Sequence, residues 1–216
     1  MSDNESDSGP SAPASRTVSE ERSLSPMRRT IAERLGESYR QAIHVTLSRE
    51  IDAEALVELA DRVNDETDAD TDVSIVDPLL SAVSATLDAH PAFNATFEDG
   101  TVSVYEEHNL ALAISLEAGL VTPVIADAAS LSIPEIARER RRVTDLVQLG
   151  EHSMSDLRGG TFTVSNLGPL GVDSFTQVIN PPEVAILGVG RTRERATPAD
   201  SGVEFRCRLT VDLSID

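Results

Sequence analysis

The chain has 216 residues, enough for one sizeable domain or two small ones. Its formal charge is −19, with 37 acidic residues against 18 basic ones, and every basic residue is an arginine. A surface of that sign repels nucleic acid and anionic lipid, and no apolar run approaches the ~18 residues of a membrane span, so neither nucleic acid nor membrane is an expected partner. Residues 1–22 have few apolar side chains to bury and read as a disordered acidic tail. That tail lacks the basic-then-apolar order of a signal peptide, and the expected location is cytoplasmic. Residues 23–216 read as the folded part.

Ser25-Pro26 opens a helix, with serine as N-cap and proline at the first helical position. Met27, Ile31 and Leu35 recur every fourth residue and give it one apolar stripe. Ile43, Val45, Leu47 and Ile51 alternate along a strand, with Arg49 interrupting the pattern. A second helix is expected over about 53–64. The acidic stretch Asp65–Asp72 lacks the glycine and terminal glutamate of a calcium loop and reads as solvated charge. Asp77-Pro78 starts a third helix that ends near Ala89. Phe93–Val104, broken at Glu98-Asp99-Gly100, reads as a hairpin, and Asn109–Leu116 and Val121–Ile125 flank a turn at Glu117-Ala118-Gly119.

Ser132 and Glu135 form a capping box for a long helix that stops at Gly150. It carries Arg138, Arg140, Arg141 and Arg142, the most basic spot in the chain, read as a solvated helix face or as help in holding a phosphate. Thr161–Ser165 is a short strand with Phe162 and Val164 on one face and Thr161, Thr163 and Ser165 on the other. Asn166-Leu167-Gly168-Pro169 breaks it. Val184–Val189 is a nearly continuous apolar run, as for a strand covered on both faces. The hydroxyl of Ser165, at a strand's end before a forced turn, can be aimed into a cleft; the alternative is an ordinary buried strand-turn-strand. Val203–Ile215 alternates over residues 205, 207, 209, 211, 213 and 215, with Cys207 on its apolar face as a structural thiol. That cysteine is single, which excludes an intramolecular disulfide and a cysteine-rich metal site. The mixture of elements predicts an α/β or α+β fold, a mixed sheet flanked by helices.

Charge and lysine content point to an environment. Self-repulsion at −19 opposes compactness unless salt screens it, and the Debye length falls to about 3 Å at 1 M. We read the chain as halophilic; the alternative is an acidic protein of an ordinary cell.

Five stretches, in order, resemble the catalytic domain of the lipoate-dependent acyltransferases of 2-oxo acid dehydrogenase complexes, which share a fold with chloramphenicol acetyltransferase. They are Leu24–Ala32 (LSPMRRTIA), His44-Val45-Thr46, His90–Ala95 (HPAFNA), Gly119–Ile125 (GLVTPVI) and Gly159–Gly190. The resemblance covers roughly 24–216 and implies the CoA-dependent acyltransferase fold, with 23–216 as the catalytic domain. It implies transfer of an acyl group between dihydrolipoamide and coenzyme A through a ternary complex. By match to the Ser-Asn-x-Gly element, Ser165 is the oxyanion donor and Asn166 stands beside coenzyme A. Gly190 and Thr192 are weaker candidates for the same channel, with turn and packing roles as the alternative. No metal is implied. A lipoyl carrier needs a lysine, and this chain has none, so the lipoyl group is expected on a separate carrier protein, with no covalent lipoate here. The implied partners are that carrier, the dehydrogenase components and further copies in a homotrimer or larger core.

The family's general base comes from a His-x-x-x-Asp-Gly element directly after a strand like Leu209–Asp216, and the sequence given ends at Asp216. The domain is therefore expected to be C-terminally incomplete and low in activity. His44, His90, His108 and His152 read as structural or exposed. Two other functions stay open: a non-catalytic assembly protein of the complex core, and a stand-alone small-molecule acetyltransferase.

Overall fold

The computed structural model describes residues 16–67, 71–117, 119–199 and 202–216. Most of the expected tail, three residues of the acidic stretch and Ala118 of the predicted turn lie outside the described residues. Arg16–Ser25 is exposed and has no regular structure.

Among the described residues, four α-helices and ten strands follow in the order α1 (Pro26–Gln41), β1 (Val45–Asp52), α2 (Glu54–Glu66), α3 (Val76–Ala89), β2 (Ala95–Glu98), β3 (Thr101–Val104), β4 (Leu110–Leu116), β5 (Gly119–Val121), β6 (Val124–Ile125), α4 (Ile133–Leu149), β7 (Phe162–Asn166), β8 (Ala185–Val189), β9 (Arg193–Ala199) and β10 (Gly202–Ile215), with short 3-10 turns between some of them. The local signals act as read. Ser25 Oγ accepts the Arg28 N–H at the start of α1, Ser132 and Glu135 cap α4 reciprocally, and Gly150 ends α4 in the left-handed conformation. The hairpin turns at Asp99-Gly100, both at positive φ.

The main sheet runs β1-β10-β8-β7-β4-β5, with β6 also on β4 and β9 on β10. β4, β7 and β8 pair in parallel and the remaining pairs are antiparallel, so the sheet is mixed. One face carries the core. Leu110 and Leu112 of β4, Phe162 and Val164 of β7, Val189 of β8 and Leu209 of β10 meet Leu80 and Val83 of α3 and Ile136 and Val143 of α4. α1 belongs to the opposite face. Its Ser38 hydroxyl donates to the Ile179 carbonyl at 2.7 Å, and Ile31 packs so close to Gly119 that a Cβ there would overlap it. No helix among the described residues is long and apolar enough to cross a membrane.

Two elements depart from the sequence reading. β9 was not expected, because Arg193–Ala199 is polar and contains Pro198; as the outer strand of a ribbon with β10 it needs neither burial nor a full ladder. β1 forms where its alternation predicts, yet Val45 and Leu47 are more than half exposed, because β1 is the sheet's edge strand.

Candidate functional site

β7 is the centre of the site because it is paired on both sides. Ser165 stands in register between Ala113 of β4 and Gly188 of β8, and Gly188 faces Asp212 of β10. Both in-register neighbours are small, so neither of their side chains covers the serine on the face away from the core. Ser165 is half-buried, and its hydroxyl has no hydrogen-bond partner among the described residues.

The segment 173–181 crosses that face. The Phe175 ring and the Gln177 amide occupy the space a Cβ on Gly188 would need, which is why glycine stands beside the serine. A buried polar ladder holds the segment down. Asp212, fully buried, accepts from Ser174 Oγ at 3.0 Å, from the Phe175 N–H at 3.0 Å and from Ser48 Oγ. Ser214 Oγ donates to Gln177 Oε1 at 2.9 Å. The sequence reading used only the apolar face of β10. The signal for these residues was the other face, where Asp212 and Ser214 sit in a strand that otherwise reads as core.

Asn166 points elsewhere. Its Oδ1 accepts the Gly168 N–H at 2.9 Å and closes the turn after β7. With Gly190, Thr192, Gly168, Ile75 at the N-cap of α3 and Leu79 of α3 it lines a cavity of about 390 Å³ at the core side of the sheet. A Cβ on Gly190 would collide with the Asp173 carbonyl oxygen, so the chain passes here only as glycine. Arg191 and Arg193 flank that cavity but are tied to Asp173 at 2.6 and 2.8 Å, and the hydrogen bond from Arg191 holds the Asp173 carboxyl below its ordinary range. The four predicted residues thus divide: Asn166, Gly190 and Thr192 share one cavity, and Ser165 faces the other side of the sheet.

A second cavity, of about 640 Å³, lies on the Ser165 face between α1, β5 and the segments 154–160 and 180–183. Its floor is Glu183, which sequence reasoning missed. The carboxylate is buried and accepts from Thr163 Oγ1 at 2.6 Å and Asn180 Nδ2 at 2.9 Å; burial pushes its pKa up to about 7 against those hydrogen bonds. Thr163 is two residues before Ser165 on the same strand face. The signal was an acidic residue between Pro181-Pro182 and the apolar run of β8, where a solvated charge has no place.

Among the described residues no histidine hydrogen-bonds to Ser165. His44 Nε2 accepts the Ile179 N–H at 3.0 Å, which places its proton on Nδ1 toward the Ala42 carbonyl, 3.2 Å away. His108 was read as part of a polar loop; it is buried, with Nδ1 2.7 Å from Ser84 Oγ. His90 is exposed beside Phe93, and His152 Nδ1 is buried without a partner among the described residues. The arginine run of α4 is neither a free phosphate clamp nor merely a solvated face. Arg140 makes a two-point pair with buried Asp77 (2.5 and 3.0 Å), and Arg142 pairs with Glu139.

The sequence over residues 17–216 matches the family of 2-oxoacid dehydrogenases acyltransferase (catalytic domain). The chain is 32% identical over 192 residues to the dihydrolipoyllysine-residue acetyltransferase component of the pyruvate dehydrogenase complex of Rickettsia conorii, covering 88% of this chain and 47% of that one. It is 34% identical over 213 residues to the same organism's dihydrolipoyllysine-residue succinyltransferase component of the 2-oxoglutarate dehydrogenase complex, covering 95% and 54%. The chain therefore spans about half the length of the curated relatives it matches. Its structure is similar to the cubic core of the pyruvate dehydrogenase multienzyme complex, with a TM-score of 0.87 and 25% identity, over 95% of this chain and 88% of that one. A mixed sheet with helices on both faces, built from a sequence that matches along nearly its whole described length, leads to one conclusion: the chain belongs to the 2-oxoacid dehydrogenases acyltransferase (catalytic domain) family.

Proposed function

We propose that this domain transfers an acyl group between coenzyme A and a dihydrolipoyl group carried by a separate protein, with Ser165 as the oxyanion donor. The observation that carries the reading is the Ser165 hydroxyl, half-buried, without an internal partner, and flanked in register by Ala113 and Gly188. The dihydrolipoyl thiol attacks the thioester carbonyl, Ser165 donates a hydrogen bond to the oxygen as it becomes negative, and collapse of the tetrahedral intermediate expels the coenzyme A thiol. The Asn166–Gly190–Thr192 cavity, on the other side of the sheet from Ser165, is the proposed wall for the part of coenzyme A remote from its thioester. Its support is the shared lining, in which Asn166, Gly168, Gly190 and Thr192 stand together. The thiol proton needs a base. His44, His90, His108 and His152 stand elsewhere, and we assign the role to a histidine of a His-x-x-x-Asp-Gly element joined after Asp216.

The test is acetyl-CoA:dihydrolipoamide transfer by a chain carrying that element, beside the 216-residue chain. The prolonged chain is expected to turn over at least 10²-fold faster, the scale of a lost general base. Within it, Ser165→Ala is expected to lower kcat about 10²–10³-fold with little change in the KM for acetyl-CoA. An unchanged kcat removes Ser165 from the reaction.

The domain is further proposed to lie in the cytoplasm, to work as a homotrimer or part of a larger core, and to be halophilic. The salt reading rests on −19 net charge with no lysine. Its melting temperature is expected to rise between low and molar KCl as self-repulsion is screened. A fall over that range refutes it.

A further inference from the structure

The cavity above Glu183 does not share lining residues with the Asn166–Gly190–Thr192 cavity, and its chemistry is different. We propose that it is a binding site for a medium-chain carboxylate, the carboxylate held at Arg34 and Arg158 and the alkyl chain directed toward Glu183. This goes beyond acyl transfer and does not depend on it.

Three observations carry the proposal. The first is the wall. Met27, Ile31, Leu120, Met154 and Leu157 converge from α1, β5 and the 154–160 segment, and about 640 Å³ lies in the range of small-molecule sites, about 300–1,000 Å³. The second is charge. In a chain with 37 acidic residues, Arg34 and Arg158 line the same cavity and neither has a carboxylate partner among the described residues. Guanidinium groups bind carboxylates through two parallel hydrogen bonds, and this pair repels a cationic head. The third is the floor. It is closely packed, since a Cβ on Gly160 would stand 3.0 Å from Ala111 Cβ and 3.1 Å from Glu183 Oε1. Among the described residues Glu183 is the only acidic group in the lining, and its oxygens are engaged by Thr163 and Asn180. Neutral, it tolerates an alkyl chain above it; ionised, it loses more solvation when the chain arrives.

The lining thus holds three charged groups, Arg34 from α1, Arg158 from the 154–160 segment and Glu183 from the floor. Only Glu183, with its pKa raised to about 7, changes charge between pH 6 and pH 8. Sodium octanoate, ionised and soluble at both values, is the probe. Titrated by calorimetry into the 216-residue chain in KCl, it is expected to bind saturably, and up to about tenfold more weakly at pH 8 than at pH 6, following the neutral fraction of Glu183. Glu183→Gln is expected to remove the pH difference. The double variant Arg34→Gln/Arg158→Gln, both residues being exposed and without an ion-pair partner among the described residues, is expected to lose at least tenfold at both pH values with its melting temperature unchanged. Saturating coenzyme A is expected not to displace octanoate. Absence of saturable binding overturns the proposal, as does a double variant that binds like the parent. Displacement by coenzyme A overturns it differently, by showing the cavity to be part of the acyl-transfer site.

Discussion

At pH 8 the Glu183→Gln variant melts above the parent chain, and near pH 4.5 the two melt together. Glu183 has an ordinary pKa of 4.5 and is raised to about 7 in the folded chain, chiefly by burial. The folded state therefore holds a proton that the unfolded state has released between those values. Stability from this group is fully present below about 4.5 and is lost as the pH rises through about 7. At 1.36 kcal/mol per pKa unit the loss approaches about 3 kcal/mol above pH 7. For a domain of this size that is roughly 6–12 °C in melting temperature. Glutamine reproduces the neutral acid: its oxygen accepts from Asn180 and its amide donates to Thr163 Oγ1, replacing the two bonds seen at 2.9 and 2.6 Å. A variant no more stable than the parent at pH 8 shows that Glu183 carries no raised pKa. Glu183→Ala does not serve, because it leaves Thr163 and Asn180 with only their mutual 3.3 Å hydrogen bond beside a void.

The elements were legible where local physics fixes them. Ser25-Pro26, Ser132 with Glu135, Gly150 and the alternation of β10 each specify their own backbone, and the structure agrees to within a residue or two. Ser165 and Asn166 were legible only as neighbours in sequence. Adjacent strand residues point to opposite faces, so the pair that reads as one site opens onto two sides of the sheet. Gly188, Phe175, Gln177 and Asp212 were invisible for a different reason. They meet through the crossing segment 173–181, which has no periodicity and is held by side-chain hydrogen bonds from β10 rather than by a ladder. Glu183 was passed over because charge is expected at the surface. Its place follows only from the pairing of β7 with β8, which sets Thr163 beside the end of the Pro181-Pro182 turn.

The arginines of α4 show how far one sequence run can divide in three dimensions, and they carry the largest stability effect expected. Arg140→Ala is expected to cost about 3–5 kcal/mol, because it strands a buried carboxylate. Asp77 is 0% exposed, and its oxygens accept from Arg140 Nε and Nη2 and from the Ser74 N–H and hydroxyl. Without the guanidinium, only the two Ser74 donors remain. The pair also joins α3 to α4, the two helices that close the core side of the sheet. Asp77→Ala is expected to cost less, since the Arg140 side chain is 21% exposed and can turn toward water. Arg142→Ala, two positions on, removes an exposed pair with Glu139 and is expected to stay within about 1 kcal/mol. Urea titrations of the three variants at constant KCl measure this order directly. Equal losses for Arg140→Ala and Arg142→Ala refute the buried-charge argument and return the whole run to the solvated face. The double variant Asp77→Leu/Arg140→Met separates the two costs: if the stranded charge is the cause, it recovers most of what Arg140→Ala loses, because neither side chain then leaves a charge behind in the interior.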